Sequence, residues 1–271
     1  MVRTIRRALR DTAYSLLTAT LGDAEGYVTL PTLRGPARGL RFRLDLRGRV
    51  ESGYWLGYYD LDLLRAITRI CRPGWTVWDC GVYLGYYTAF FARLVGPTGK
   101  VVAIEPDPNN LRRAQANVRL NRLHNVTFAP VAIGGPRGEV EFIVSANTNS
   151  HLPGMYIGAS AVEYRPQEQA ETLIKVRCIS LDEAYTTEGL AAPNLVKLDI
   201  EGAEAESLQH VAALAEECRP LIVLELHNPE CDAAAWQFAQ RYKYSLRSLN
   251  TGQLINRAEA VGGTLLCTPQ T

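Results

Sequence analysis

The fold of the chain is decided by residues 76–107, which read TVWDCGVYLGYYTAFFARLVGPTGKVVAIEPD. A short apolar run ends on Asp79, a glycine turn follows, and after a helical pattern a second apolar run ends on Glu105. This order predicts a strand, a helix and a second strand, the repeating unit of a doubly wound sheet. Since the carboxyl ends of parallel strands meet at one edge, we expect both carboxylates where such proteins bind ligands.

The rest of the chain continues this alternation of strands and helices. It predicts an α/β fold with a doubly wound, Rossmann-like, seven-stranded and mainly parallel sheet that has helices on both faces. The segment VTFAPVAIG is expected to be its third strand, and EVEFIVS an added strand. Near the C terminus, YSLRSL and TLLCT are expected to pair antiparallel at the end of the sheet.

The first 52 residues differ in pattern, and we predict an N-terminal helix and a small β extension there, with the main domain over 53–271. Apolar and polar residues alternate over 27–51 with glycine and proline between them, which favours two or three antiparallel strands. The segment before them is expected to be an amphipathic helix docked on the body, with a peripheral membrane helix as the alternative.

Composition excludes several classes of protein. A net charge of +1 argues against a general nucleic-acid binder, although the first 50 residues hold ten arginines against four acidic residues. No run reaches the roughly 18 apolar residues of a membrane span, so we expect no stable membrane insertion. The six cysteines are scattered, which is typical of reduced thiols and predicts a cytoplasmic location. A homodimer is left open.

The details of the glycine turn discriminate between two nucleotide ligands. The dinucleotide fingerprint GxGxxG is absent, and Asp79 before the turn would repel a pyrophosphate. S-adenosyl-L-methionine has no phosphate and carries a sulfonium and an ammonium, which a carboxylate favours. Glu105 is placed to accept hydrogen bonds from two ribose hydroxyls. The two carboxylates therefore favour the methyl donor over NAD.

Six segments together resemble the FkbM-type methyltransferases of the class I S-adenosylmethionine-dependent fold. They run from Tyr54 to Asn228 and read GYWLGYYD, VWDCGVYLGYYT, AIEPDPNNL, SLDE, VKLDIEGAE and VLELHN. The resemblance implies an O-methyltransferase that uses S-adenosyl-L-methionine and acts on a hydroxyl of a sugar or a polyketide-type natural product. The implied acceptor is thus a small molecule or a glycan.

The resemblance also implies which residues hold the donor. The first glycines and Asp79 would cradle the methionine part, Glu105 would hold the ribose, and the residues after the third strand would flank the adenine. The predicted donor-binding residues are Asp79, Gly81, Tyr83, Gly85, Glu105, Pro106, Ala132, Ile133 and Asp199.

Two positions depart from the family's pattern. The family's turn has a small residue and an Asn where this chain has Val82 and Tyr83. Because Asn tolerates positive φ and Tyr does so poorly, either the turn takes another conformation with Tyr83 lining the donor pocket, or donor binding is weakened. Asp60 replaces a glutamate of the family, which shortens the contact that this side chain makes.

Methyl transfer to an alcohol needs a group that takes the proton, and candidates follow the later strands. His227 has the best resting pKa for a general base, while Asp199 could hold the donor's ammonium or orient the acceptor. Glu204, at a helix start, is expected to serve the helix dipole rather than the reaction. The residues predicted to be catalytic are His227, Asp199 and Glu201, with Glu225 as a further candidate. A magnesium ion on these oxygen ligands is conceivable, but we predict no obligatory metal.

Aromatic and loop residues are the candidates for the acceptor site. Tyr58 and Tyr59 precede the first core strand, where their default role is packing and their alternative role is to line a ligand mouth. Residues 146–175 are predicted to be a substrate loop, since polar loops of this length are commonly lids or binding loops. Within it, His151 and Tyr156 are predicted to contact substrate, and His151 is a second base candidate.

Two other functions stay open on the sequence alone. A nicotinamide-dependent oxidoreductase would need a turn that tolerates phosphate, and Asp79 counts against it. A binding protein of the same fold with little or no catalytic activity is the other alternative, because Tyr83 alters the turn.

Overall fold

The computed structural model describes residues 12, 14–46, 49–145, 171–258 and 261–270. Its N-terminal part starts with a helix, α1, over residues 14–21. An antiparallel hairpin of β1 (Val28–Pro31) and β2 (Arg41–Leu44) follows, and then the helices α2 (Arg49–Leu56) and α3 (Leu61–Ile70). No helix among the described residues is long and apolar enough to cross a membrane.

The main sheet has eight strands among the described residues, and their order is β12-β11-β13-β10-β9-β3-β4-β5. The five strands from β10 to β5 are parallel, and the remaining three pair antiparallel. Their bounds are β3 Thr76–Cys80, β4 Lys100–Ile104, β5 Val126–Ala129, β9 Leu195–Leu198, β10 Leu221–Glu225, β11 Tyr244–Ser248, β12 Leu254–Ile255 and β13 Thr264–Pro269.

Helices cover both faces of this sheet. Alternate residues of β3 face opposite ways, so Trp78 packs in one apolar core with Phe238, whereas Val77 packs in the other with Phe90. The predicted doubly wound, mainly parallel sheet is thereby confirmed. The helices are α4 Tyr86–Val95, α5 Pro108–Leu120, α6 Leu181–Thr186, α7 Glu204–Gln209 and α8 Pro229–Tyr242, with a π-helical turn at Leu214–Cys218.

The main sheet differs from the prediction in two ways: it has eight strands instead of seven, and the predicted third strand is divided. The eighth strand is the two-residue β12, which pairs with β11. The segment predicted as one third strand divides at Pro130, whose ring leaves no N–H for a ladder. Its second half is β6 (Ala132–Ile133), which joins β7 (Gly138–Ser145) and β8 (Glu171–Ile179) in a separate sheet of order β6-β8-β7. Residues 171–175 of the predicted loop thus belong to a strand.

Local signals for helix starts agree with the structure. The Asp107 carboxylate accepts from the backbone N–H of Asn109 at 2.7 Å, and Pro108 occupies the first turn of α5. Ser180 caps α6 in a reciprocal arrangement with Glu183. The antiparallel pair predicted at the end of the sheet is β11 with β13.

The N-terminal hairpin shares one core with the main domain. The rings of Phe42 on β2 and Tyr86 on α4 lie 5.1 Å apart between centroids. The buried Asn117 of α5 accepts from the Arg43 N–H at 2.8 Å and donates to the Leu84 carbonyl at 2.9 Å. Helix α2 includes residue 52, the boundary that the sequence pattern predicts, and the division into 1–52 and 53–271 stays a prediction.

We expect Asn117→Ala to lower the free energy of unfolding by about 2–4 kcal/mol, because a backbone N–H and a carbonyl would lose their partner in the interior. Urea unfolding followed by circular dichroism measures this loss. Asn109→Ala, an exposed position of the same helix, is the matched control and should change stability by less than about 0.5 kcal/mol. Equal effects of the two substitutions would contradict the bridging role of Asn117.

Candidate active site

A cavity of about 550 Å³ lies at the carboxyl edge of the main sheet. It sits where β3 and β9 run side by side and the strand order reverses, the place where doubly wound sheets bind ligands. Its volume lies in the roughly 300–1,000 Å³ range of small-molecule sites. It is lined by Val50, Tyr54, Tyr59, Gly81, Tyr83, Ile104, Glu105, Pro106, Asn110, Val131, Ala132, Ile133, Phe142, Asp199, Ile200, Glu201, Ala203, Glu225 and His227.

The turn after β3 requires glycine at its first position. Gly81 has φ 85°, and a Cβ atom there would lie 1.7 Å from the backbone oxygen of Asp199 on the neighbouring strand. Its N–H donates to the Ile104 carbonyl at 3.1 Å. Any side chain would therefore separate β3 from β9 at the base of the cavity.

Tyr83 lies in this turn with φ 52°, in the left-handed region that non-glycine residues seldom adopt. One of the two alternatives was that Tyr83 lines the pocket and avoids a positive φ. Tyr83 lines the cavity, but its φ is positive. Its backbone N–H donates to Glu105 Oε2 at 2.8 Å, and its hydroxyl donates to Glu51 Oε1 at 2.7 Å. Bonds at both ends of the residue hold it there.

Glu105 is almost completely buried at the tip of β4. Burial raises the pKa of its carboxyl to about 7, although N–H bonds from Asp107 and Tyr83 and a side-chain bond from Asn110 favour the charged form. Each oxygen accepts one backbone N–H, from Asp107 at 3.0 Å and from Tyr83. A carboxylate has about four acceptor positions, and because the Asn110 side chain takes a third, one remains for a ribose hydroxyl.

The wall beside Glu105 is apolar. Ala132 and Ile133 of β6 are buried, and Val131 and Phe142 complete the surface. Apolar side chains beside a carboxylate that can accept from a hydroxyl suit an adenosine group, so the residues present fit S-adenosyl-L-methionine.

Asp79 is placed differently from the prediction that it contacts the donor. It is fully buried in β3 and does not belong to the described lining of the cavity. Burial raises the pKa of its carboxyl to about 6, and its Oδ2 accepts from the Thr88 hydroxyl at 2.5 Å. Asp79 therefore connects the end of β3 to α4 through the Thr88 hydroxyl.

A buried lysine lies between the strand ends. Lys197 of β9 is 1% exposed, and its Nζ donates to Asp199 Oδ2 at 2.7 Å. The ammonium also lies 4.6 Å from the centre of the Tyr87 ring. Although burial opposes its charge, the carboxylates of Asp199 and Asp79 raise the pKa of Lys197 above its ordinary value. Lys197 thus neutralises part of the acidic floor.

His227 is held by carboxylates on two sides. Its Nδ1 lies 2.9 Å from Oε1 of the fully buried Glu204, and its Nε2 lies 3.5 Å from Asp199 Oδ1 and 3.7 Å from Glu201 Oε2. Glu204 also accepts the backbone N–H groups of Ile200 and Gly202 at 2.9 and 3.0 Å. Glu204 therefore orients the imidazole in addition to being the first residue of α7. The sequence predicted only an interaction of Glu204 with the helix dipole.

This arrangement changes the basicity of the imidazole. Burial alone would lower the pKa of His227, but the Glu204 hydrogen bond and the charges of Glu204, Asp199 and Glu201 outweigh it and raise the pKa to about 9. His227 is a stronger base than a free imidazole, and a smaller fraction of it is deprotonated at neutral pH.

The same three side chains have the composition of a cation site. Ligand atoms of Asp199, Glu201 and His227 all lie within 4.8 Å of one another. Two positive groups, Lys197 on Asp199 and the imidazole itself, already offset these carboxylates.

Sequence reasoning located most of the cavity wall. The structure brings Tyr59, Gly81, Tyr83, Glu105, Pro106, Ala132, Ile133, Asp199, Glu201 and His227 to the cavity. It does not bring Asp79, Gly85 and Tyr58 to the described wall: Gly85 precedes α4 and Tyr58 is exposed. His151 and Tyr156 lie outside the described residues, so their roles stay predictions.

Several residues of the site were missed. Lys197 could have been found as the one charged residue within the apolar run LVKL of a buried strand. Asn110 follows the cap Asp107 by three residues and faces the cavity beside Glu105. No local signal indicated Val50 and Phe142, because they reach the cavity from α2 and from the small sheet.

The fold and the cavity define a doubly wound α/β protein with a nucleoside-type ligand site at the reversal of its strand order. Residues 79–249 match the family model of the methyltransferase FkbM domain. The chain therefore belongs to the FkbM methyltransferase family.

The chain is also similar in structure to solved methyltransferase structures. An FkbM methyltransferase from Methylobacillus flagellatus KT is 17% identical with a TM-score of 0.47, and the match covers 75% of this chain and 50% of that chain. A putative rRNA methylase from Clostridium thermocellum is 13% identical with a TM-score of 0.45, covering 76% and 91%. An S-adenosylmethionine-dependent O-methyltransferase from Thermotoga maritima is 13% identical with a TM-score of 0.43, covering 79% and 66%.

The chain thus spans half the length of the first of these proteins. No curated protein sequence matches it significantly.

We expect the affinity for adenosine to fall as the pH is lowered through about 7, because protonation of Glu105 removes an acceptor for the ribose hydroxyls. The sign follows from the raised pKa: the carboxylate exists above about 7 and is lost below it. Calorimetric titration between about pH 8 and pH 6 measures this. Adenosine is the probe because it lacks the donor's own ammonium.

Two variants test the assignment of this pH dependence. Glu105→Gln should raise the dissociation constant about tenfold at pH 8 and abolish the pH dependence. Glu139→Gln, at an exposed position of β7, should behave as wild type. A pH dependence that persists in Glu105→Gln would assign it to another group.

Proposed function

We propose that the protein transfers a methyl group from S-adenosyl-L-methionine to a hydroxyl oxygen of a sugar, a glycoside or a polyketide-type product. The observation that carries this proposal is the His227 imidazole, whose Nδ1 contacts the buried Glu204 while Nε2 lies at the cavity wall. A base with an orienting carboxylate behind it suits removal of a hydroxyl proton.

The donor would lie along the turn and the tip of β4. Glu105 would accept from the ribose, the Gly81 turn would approach the methionine part closely, and Ala132 and Ile133 would face the adenine. Asp199, whose backbone touches Gly81, is proposed to attract the donor's ammonium. When bound, S-adenosyl-L-methionine supplies the methyl group on a positively charged sulfur.

His227 is proposed to take the proton of the acceptor hydroxyl at Nε2. Glu204 would keep Nδ1 protonated and stabilise the imidazolium that forms, as an orienting carboxylate does beside a histidine base. Asp199 and Glu201 flank the same nitrogen and would hold the hydroxyl in line. The aromatic wall of Tyr54 and Tyr59, whose rings are 4.8 Å apart, offers a surface for the acceptor.

The charge of the wall bears on the class of acceptor. Asp199, Glu201 and Glu225 line its floor with Lys197 behind them. Phosphate groups would be repelled there, which supports an uncharged small molecule or glycan over a nucleic acid. Residues 146–170 follow β7, whose Phe142 lines the cavity, and the role of the predicted substrate loop over 146–175 is part of the proposal.

Titration calorimetry with S-adenosyl-L-methionine, S-adenosylhomocysteine and NAD, joined to an assay of S-adenosylhomocysteine release, tests this function. We expect both sulfur ligands to bind, NAD not to bind, and a panel of methyl glycosides to include an acceptor. Donor binding with methylation of nitrogen or carbon compounds only would overturn the choice of oxygen. Donor binding without any turnover would favour a catalytically inactive binding protein.

For the base, we predict that His227→Ala lowers turnover at least about a hundredfold, while the dissociation constant of the donor stays within about twofold. In the wild type the rate should rise with pH toward about 9, because only deprotonated His227 accepts a proton. Steady-state rates over pH measure both effects. His124→Ala, an exposed histidine, is the control, and unchanged turnover in His227→Ala would remove it from this role.

A separate prediction concerns metals. Because Lys197 and His227 already offset the carboxylates, we expect turnover to stay within about twofold after dialysis against EDTA and on addition of Mg²⁺ or Mn²⁺. Loss of activity with EDTA that Mg²⁺ restores would instead assign a cation to Asp199, Glu201 and His227.

A further inference from the structure

We propose that Glu51, on α2 outside the matched family domain, is a positioning residue for the methyl donor that acts through Tyr83. Its carboxylate holds the Tyr83 side chain, and thereby keeps the Tyr83 backbone N–H directed at Glu105. The inference needs only donor binding and does not depend on which acceptor atom is methylated.

The first step of the argument is the conformation of Tyr83. With φ 52° the residue lies where L-amino acids with a bulky side chain are disfavoured. Such a conformation persists only when its surroundings hold it, and it is often found at ligand sites. A positive φ is unfavourable for tyrosine, so we look to contacts of the Tyr83 side chain for the interaction that stabilises this conformation.

The second step is the set of contacts at the hydroxyl end. Glu51 is 4% exposed and accepts from the Tyr83 hydroxyl at 2.7 Å. A guanidinium nitrogen of Arg113 lies 2.8 and 2.7 Å from the two oxygens of Glu51, and the Asp45 N–H donates to Oε2 at 2.6 Å. The Arg113 carbon Cζ also lies 5.6 Å from the centre of the Tyr83 ring. The carboxylate is thus fixed by groups from the turn after β3, from α5 and from the segment after β2.

The third step is what this hold achieves at the donor site. Tyr83 N–H donates to Glu105 Oε2 at 2.8 Å, so Tyr83 links Glu51 to the proposed ribose acceptor. Among the described residues, the Glu105 carboxylate accepts two backbone N–H groups, that of Tyr83 and that of Asp107. If residue 83 left the left-handed region, the turn would rearrange, and the Tyr83 N–H would no longer fix the Glu105 carboxylate for a ribose hydroxyl.

Neighbours of Glu51 on the same helix reach the cavity as well. Val50 and Tyr54 belong to its wall, and the Tyr54 ring stacks on Tyr86 of α4 at 4.1 Å between centroids. Packing therefore contributes to the position of helix α2 in addition to the bonds of the Glu51 carboxylate.

The test is calorimetric titration with S-adenosylhomocysteine of Tyr83→Phe, Glu51→Gln and the double variant. We expect each single change to raise the dissociation constant about tenfold, the loss of one charge-assisted hydrogen bond. Because both substitutions remove the same contact, the dissociation constant of the double variant should be about that of the single variant that binds less tightly. Wild-type affinity in Tyr83→Phe, or losses that multiply in the double variant, would overturn the proposal.

A rescue distinguishes positioning from general stability. Asn adopts the left-handed region more readily than other non-glycine residues, so Tyr83→Asn combined with Glu51→Gln should bind within about threefold of wild type. Failure of this rescue in a protein that melts cooperatively would overturn the mechanism.

Kinetics and a control complete the design. Once an acceptor is known, the KM for the donor should rise in Tyr83→Phe while kcat stays within about twofold; a fall in kcat with unchanged KM would overturn the proposal. Tyr83→Phe keeps the Glu51–Arg113 pair and is expected to fold. The matched control is Tyr244→Phe, a buried tyrosine on β11 away from the cavity, which should bind as wild type.

Discussion

The contact between Gly81 and the backbone of Asp199 is the constraint on which the site depends. It brings the end of β3 against the end of β9, where the strand order reverses, and leaves no room for a Cβ atom. The β3–β4 half of the sheet carries Glu105, and the β9–β10 half carries Asp199 and His227. A donor and an acceptor can meet only if these two halves close on each other, so this one glycine joins the two functions of the cavity.

The second constraint is electrostatic, because the floor of the cavity holds more carboxylates than cations. Burial raises the pKa of the carboxyl groups of Asp79 and Glu105. Lys197 lies between the strand ends, where its positive charge faces Asp199 and Asp79. A buried charge without a partner is costly, and the site reduces that cost by protonation, by Lys197 and by His227. A sulfonium ligand would add positive charge where the protein lacks it, which explains why the charge pattern favours this donor over a dinucleotide.

How far the sequence predicts the structure depends on the range of each interaction. The strand, turn and helix of residues 76–107 and the antiparallel end of the sheet follow from local patterns and were predicted. The division of the third strand at Pro130 was missed because hydrophobic periodicity continues across it. The Glu204 contact with His227 joins residues 23 positions apart, and no local pattern reports such a pair.

Tyr83 shows how a departure from a family pattern can be absorbed elsewhere in the chain. Local reasoning correctly marked tyrosine as unsuited to the turn but wrongly expected the turn to change, because the compensating group lies on α2. The family match begins at residue 79, whereas Val50 and Tyr54 complete the cavity wall from α2. The working unit of the site is therefore larger than the matched domain. The segment over residues 27–51, which alternation identified as an extension, contributes Val50 to the cavity wall and the Glu51 carboxylate that holds the Tyr83 hydroxyl.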